Sequence, residues 1–198
     1  IVQDEGRPLN NRASQGQYPP GSIFKIPMAV AALETKTMSL SSTVFCNGGY
    51  QFGKRLYHDW KASGHGYVDL HNALVHSCDV YFYTIGQRMG IDVMAEFGKD
   101  FGLGKATGVE LPSERTGIMP STAWKQKAKN EQWLPGETIS AAIGQGYVTV
   151  TPLQMASLVG TVANNGVSYR PRLVQAVMDR MSGNLQELPA VPRGKINA

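Results

Sequence analysis

Apolar positions along the chain come in short blocks broken by glycine, proline and polar residues, and most blocks carry a helical period. Tyr18-Pro19-Pro20-Gly21 is a stiff turn leading into Ser22 to Glu34, which reads as a buried helix with Ser22 at its N-terminal end. Pro27 lacks a backbone donor and clashes with a carbonyl one turn earlier, so the first turn is irregular or the helix kinks. Residues 43 to 68 mix glycine and aromatics without helical period and read as a long irregular excursion, the kind of loop that usually serves function. Asp69 can cap a helix whose Leu70, Ala73 and Leu74 share a face. Asp79 can cap the next, with Phe82, Ile85 and Met89 in register, so Ser77-Cys78-Asp79 is an interhelical turn.

Further along, Asp92 to Lys99 predicts a short helix, and the Ala141 to Gly146 segment follows Pro135. Thr151-Pro152-Leu153-Gln154 is a capping box with proline at the first helical position, and Asn164-Asn165-Gly166 stops that helix. Residues 172–177 and 185–188 predict a hairpin around Met181 to Asn184. The longest apolar run, Ile26 to Leu33, is far short of the roughly 18 residues a membrane span needs, and no basic-apolar-small leader opens the sequence, so the chain as given is expected to be soluble.

With 42% hydrophobic and 17% charged residues in 198, the composition is that of a globular protein and excludes disorder and coiled coil. The net charge of +4 could suit an anionic partner, but the cations are scattered, which argues against nucleic acid.

Chemistry concentrates in two places. A hydroxyl becomes a nucleophile when a base takes its proton, and a base three residues later on a helix shares its face. Ser22 and Lys25 have this spacing. The helix N-terminus adds donors for an oxyanion, and a buried lysine can give up its proton more readily than a solvated one. The plainer alternative is a helix cap beside a solvated lysine. All four histidines (58, 65, 71, 76) and both cysteines (46, 78) fall between residues 46 and 78. A zinc ion would cross-link a loop with little core of its own; a Cys46–Cys78 disulfide, or buried thiols with surface histidines, are the competing readings. Gly144-Gln145-Gly146 lacks the lysine of a phosphate loop, and its glycines suit backbone passing close under the nucleophile. The tryptophans read as loop anchors, and Thr138 and Gln145 are candidate substrate contacts.

At these residues the sequence resembles the penicillin-recognising serine enzymes, and among them the penicillin-binding protein 2 branch of the class B transpeptidases. The first motif of that group is Ser22-Ile23-Phe24-Lys25, and the second is Ser77-Cys78-Asp79, with Asp where most relatives carry Asn. Further matches are Asp59-Trp60-Lys61, Gly64-His65-Gly66, Glu114 to Gly117 with Met119-Pro120, Trp124 to Lys127, and Ile143 to Tyr147 running into Thr151 to Met155. The third motif, Lys-[Ser/Thr]-Gly, is not present. Arg115-Thr116-Gly117 imitates it in the wrong order, and Gly194-Lys195-Ile196 lacks the hydroxyl and glycine. The resemblance therefore implies that residues 1–198 form a partial transpeptidase domain, with the third-motif strand lying beyond Ala198.

The implied fold is α+β, with helices carrying the first two motifs packed on an antiparallel sheet whose C-terminal strands are largely missing. The implied catalytic residues are Ser22 as nucleophile, neutral Lys25 as base, and Ser77 as proton relay. Asp79 is harder to place, since a carboxylate near Lys25 favours the ammonium form unless it mainly orients Ser77 or holds the peptide amide. The implied zinc ligands are Cys46, Asp59, His65 and Cys78, with His58 the nearest alternative and the ion structural. The resemblance further implies D,D-transpeptidase action on peptidoglycan stem peptides, acylation by β-lactams, and elongation proteins of the cell wall as partners. The implied location is the periplasmic face of the bacterial inner membrane, through an N-terminal anchor not in this sequence. A β-lactamase or D,D-carboxypeptidase would use the same Ser and Lys with water as acceptor; a non-catalytic sensor module would show no acylation.

Overall fold

The computed structural model describes residues 9–196. Eight helices, α1 (Arg12–Gln15), α2 (Lys25–Glu34), α3 (Leu70–Val75), α4 (Asp79–Met89), α5 (Ile91–Asp100), α6 (Thr122–Lys129), α7 (Pro135–Ala142) and α8 (Pro152–Ala163), occur with eight short strands. These are β1 (Val44–Cys46), β2 (Gly49–Phe52), β3 (Arg55–His58), β4 (Gly66–Val68), β5 (Val167–Tyr169), β6 (Ala176–Met178), β7 (Leu185–Glu187) and β8 (Pro192–Lys195). All pairing is antiparallel, in the two-stranded ladders β1–β4, β2–β3, β5–β8 and β6–β7. The architecture is α+β.

The core is helical. α4 lies at its centre, with Tyr81, Phe82 and Ile85 fully buried, and packs most extensively on α7, then on α2 and β1, then on α5. From α2 and the turn before it come Phe24, Met28, Ala31 and Ala32, each with no exposed surface. Burying a side chain the size of Phe24 or Met28 stabilises by about 1.5–3 kcal/mol, so this cluster supports both chain segments that carry the first two motifs.

The expected helix from Ser22 forms with an irregular start. Gly21–Phe24 is a 3-10 turn, and α2 begins at Lys25. Pro27 thus sits in the first α turn, where its missing donor leaves no broken bond. Residues 43 to 68 are not irregular: β1 to β4 order them, Val44 pairing Val68 and Gly49 pairing His58. Three- and four-residue strands are too short for alternation to show in sequence. Asp69 caps α3 by accepting from Asn72 N at 2.8 Å, and Leu70 and Ala73 are buried while Leu74 is largely exposed. Asp79 does not cap α4. It is the first helical residue, Cys78 holds the cap position, and the Asp79 carboxylate is engaged elsewhere. The Thr151 capping box closes both ways, Thr151 N donating to Gln154 Oε1 at 2.8 Å and Gln154 N to Thr151 Oγ1 at 3.1 Å. The predicted C-terminal hairpin forms as β6 and β7. No helix among the described residues is long and apolar enough to cross a membrane.

Candidate active site

Four elements bring the site together. The Tyr18–Gly21 lead-in is held by reciprocal backbone bonds between Tyr18 and Val150, and it delivers Ser22 to the outer side of the 3-10 turn, where it is exposed. One turn on, Lys25 points inward with 1% of its surface exposed. The α3–α4 turn places Ser77 opposite, in a left-handed conformation (φ 52°) that directs its carbonyl and hydroxyl to the same lysine. Asp79 follows on the first turn of α4.

Lys25 Nζ donates to Ser77 O at 2.8 Å, to Ser77 Oγ at 3.0 Å and to Asp79 Oδ1 at 2.6 Å. An ammonium has three protons, and these acceptors use all of them. Ser77 Oγ in turn donates to Ser22 Oγ at 2.8 Å. Among the described residues Lys25 makes no direct hydrogen bond to Ser22, and the Ser77 hydroxyl stands between them. Ser77 Oγ thus hydrogen-bonds both Ser22 Oγ and Lys25 Nζ, and the Asp79 carboxylate accepts from the same lysine. The Lys25 aliphatic chain lies on the core, its Nζ 5.6 Å from the Phe82 ring centroid.

The nucleophile turn is backed by the segment after α7. Gly21 N donates to Gly144 O at 3.0 Å, and buried Gly144 adopts φ +70°. α7 itself is anchored by Glu137, which accepts from Leu134 N through Oε2 (2.8 Å) and from Lys125 Nζ through Oε1 (2.6 Å). Lys125 is 2% exposed, and its pKa is raised first by the hydrogen bond to Glu137 and further by that residue's charge. Sequence reasoning placed Lys125 in a motif without a role and missed Glu137 altogether, because the pair joins two helices. Of the two candidate substrate contacts, Thr138 is buried and accepts from Trp133 Nε1 at 2.9 Å, and Gln145 is exposed.

Beside Ser77 lies a second cluster. Ligand atoms of Cys46, Asp59, His65 and Cys78 all lie within 4.8 Å of one another. Asp59 is 5% exposed; its Oδ2 accepts from Val80 N (3.1 Å), Cys78 Sγ (3.4 Å) and Cys46 Sγ (3.5 Å), and its Oδ1 from Lys61 N (3.1 Å). Burial pushes the Asp59 carboxyl up, but the hydrogen bonds from Lys61, Val80 and Cys78 and the charge of His65 together hold it below its ordinary value. Burial is also the largest effect on the Cys78 thiol, which is pushed strongly up. His65 turns Nδ1 toward Cys46 Sγ at 3.6 Å, while its buried Nε2 has no hydrogen-bond partner among the described residues. Two thiols, an imidazole and a carboxylate from β1, the residue before β4, the loop after β3 and the α4 cap form a donor set suited to a tetrahedral divalent ion. Both cysteines are free. His58 is exposed on β3, and its carbonyl accepts from Tyr83 Oη, so it stands outside the cluster.

The two imitations of the third motif are structural. Thr116 O accepts from Gln154 Nε2 at 2.7 Å, and Lys195 pairs with Val167 across β5–β8. Neither contacts Ser22, Lys25 or Ser77. A cavity of about 560 Å³ lined by Glu34, Phe97, Lys99 and Lys195 lies at the far end of α2 and belongs to no part of this site.

The sequence matches the penicillin binding protein transpeptidase domain over residues 2–196. It is 39% identical over 193 residues to the peptidoglycan D,D-transpeptidase MrdA of Acinetobacter baumannii, covering 96% of this chain and 28% of that protein. Against the MrdA of Escherichia coli K12 it is 39% identical over 181 residues, 90% of this chain and 29% of that protein. The chain thus spans under a third of the length of these curated relatives. Among solved structures, Pseudomonas aeruginosa PBP2 in complex with WCK 5153 superposes with a TM-score of 0.87 at 35% identity, over 99% of this chain and 44% of that one. Helicobacter pylori PBP2 in complex with MreC superposes with a TM-score of 0.83 at 35% identity, over 94% of this chain and 34% of that one. With the Ser22–Lys25 turn and the Ser77–Asp79 turn facing each other in this fold, the chain belongs to the family of penicillin binding protein transpeptidase domains.

Proposed function

We propose that this chain supplies the nucleophile half of a peptidoglycan D,D-transpeptidase active site. The observation that carries this reading is the unbroken path from Ser22 Oγ to Ser77 Oγ (2.8 Å) and on to Lys25 Nζ (3.0 Å). With Lys25 neutral, the polarity of that path reverses. Ser22 Oγ bonds to the carbonyl carbon between two D-alanines, its proton passes to Ser77, and the Ser77 proton passes to Lys25. The Ser22 N–H, an amide of the first helical turn without an intrahelical acceptor, is the donor this chain would offer the developing oxyanion. The C–N bond breaks, the same chain returns a proton to the departing D-alanine amine, and an ester on Ser22 remains. An acceptor amine then attacks the ester and Ser22 regains its proton. β-Lactams acylate the same hydroxyl, in keeping with the WCK 5153 complex of the P. aeruginosa PBP2.

The working place that goes with this reading is the periplasmic face of the inner membrane, among elongation proteins; the MreC complex of the H. pylori protein supports such partners. We further propose that Cys46, Asp59, His65 and Cys78 hold a structural zinc ion. The donor set, with His65 Nδ1 turned into it 3.6 Å from both Cys46 Sγ and Asp59 Oδ1, supports that fit. Bound zinc would supply a cross-link and balance the two thiolates, while the protein's own contribution is to place Cys78 between Ser77 and Asp79.

Product analysis tests the reading. A pentapeptide stem ending in D-Ala-D-Ala, incubated with the full-length protein and an acceptor stem, should give cross-linked dimer and free D-alanine. Tetrapeptide alone would favour a carboxypeptidase, steady penicillin turnover a β-lactamase, and absence of any acyl-enzyme a non-catalytic module.

A further inference from the structure

We propose that Gly144 is a positioning residue for acylation: its lack of a side chain lets the backbone after α7 press directly on the 3-10 turn and set Ser22 Oγ against Ser77 Oγ. The proposal rests on the reading of Ser22 as nucleophile. A Cβ on Gly144 would stand 2.5 Å from Gly21 O, 2.9 Å from Gly21 N and 2.7 Å from Phe24 Cβ. Two of these atoms are backbone, and the third begins a side chain with no exposed surface, so no flexible group can yield. The turn bearing Ser22 would have to retreat by on the order of 1 Å, a misplacement that can cost about 100-fold in rate.

The other half of the site is gauged from α7, just before Gly144. A Cβ on Gly86 of α4 would stand 2.5 Å from Ala142 Cβ of α7, so α4, which begins two residues after Ser77, lies as close to α7 as a glycine permits. Through glycine contacts, α7 and the segment after it thus meet the helix that follows Ser77 and the turn that carries Ser22. Gly146 provides an internal control. Its φ of +69° matches the +70° of Gly144, yet an added Cβ would meet only Ser140 Cβ, at an ordinary 3.5 Å. Alanine there carries the same backbone cost without pushing on the turn.

The test is single-turnover acylation of the full-length protein by a fluorescent penicillin, resolved into prior affinity and acylation rate constant, with a melting curve for each variant. Gly144→Ala should lose about 100-fold in the rate constant with affinity changed less than about threefold, while Gly146→Ala should change neither by more than about threefold. Should Gly144→Ala fail to fold, the α7 gauge is tested from its other side. Gly86→Ala should lower the rate constant at least tenfold, by the same argument of misplacement, and adding Ala142→Gly should restore it. Equal rate constants in the Gly144 and Gly146 variants, or a loss confined to affinity, would overturn this proposal alone; so would failure of the Gly86 and Ala142 exchange to restore the rate. No labelling of the unaltered protein would overturn the nucleophile, and this proposal with it.

Discussion

Lys25 Nζ and Asp79 Oδ1 meet at 2.6 Å, and among the described residues the Ser77 hydroxyl links this ion pair to Ser22. On the proposed mechanism the arrangement separates two roles that a bare Ser-x-x-Lys motif merges, since one set of contacts holds the lysine and another would carry the proton. Removing the lysine should harm both fold and chemistry. Lys25→Met leaves the half-buried Asp79 carboxylate and Ser77 O without their donor, and urea denaturation should show a loss of about 3 kcal/mol together with loss of acylation. Ser77→Ala keeps the ion pair and cuts the path. Its stability should stay within about 1 kcal/mol, while penicillin acylation falls by about 10²–10⁴-fold. Wild-type acylation in Ser77→Ala would show that the proton leaves Ser22 by another route.

The capping box of α8 gives a prediction confined to stability. Thr151→Ala removes one acceptor and should cost about 1 kcal/mol. Gln154→Leu strands Thr151 N, Lys105 O and Thr116 O, all of which the amide now satisfies, and should cost about 3 kcal/mol or more. Both follow from denaturant midpoints, and a smaller loss for Gln154→Leu than for Thr151→Ala would contradict the assignment.

The Asp69 cap predicts a pH dependence. The hydrogen bond from Asn72 N, followed by one from its side chain, lowers the Asp69 carboxyl below its ordinary value, with a small further lowering from the His71 charge. A depressed folded-state pKa means stability that is present above the unfolded value, near 3.9, and lost as pH falls through the lower folded value. The stability gap between the unaltered chain and Asp69→Ala should therefore be full at pH 6 and shrink below about pH 4. A gap that is constant down to pH 2 would rule out the charged cap.

Zinc in the Cys46–Asp59–His65–Cys78 cluster predicts about one equivalent of metal in the purified protein, with Cys78 alkylated only after chelation. Chelation should also lower the melting temperature and slow acylation, because Cys78 joins Ser77 to Asp79. Less than a tenth of an equivalent, with Cys78 alkylatable in the native protein, would refute it.

Local signals were legible where the chemistry is local. The Thr151 box, the Asp69 cap and the one-turn spacing of Ser22 and Lys25 depend on residues three apart, and each appears in the structure. Asp79 shows the limit of that logic, because aspartate suits a cap, yet a buried ammonium from a distant segment takes its carboxylate. β1 to β4 escaped notice because strands of three or four residues gain their identity from ladder partners across the excursion. The Lys125–Glu137 pair was hidden for a similar reason: a lysine among polar neighbours reads as solvated until α7 closes over it. The four candidate metal ligands, in contrast, were named from a resemblance and then found side by side.

The most direct test of the central claim is mass spectrometry of the penicillin-treated full-length protein after digestion. The account predicts one penicilloyl adduct, on the peptide containing Ser22, and none in Ser22→Ala. An adduct on another residue, or labelling of Ser22→Ala at the level of the unaltered protein, would contradict it.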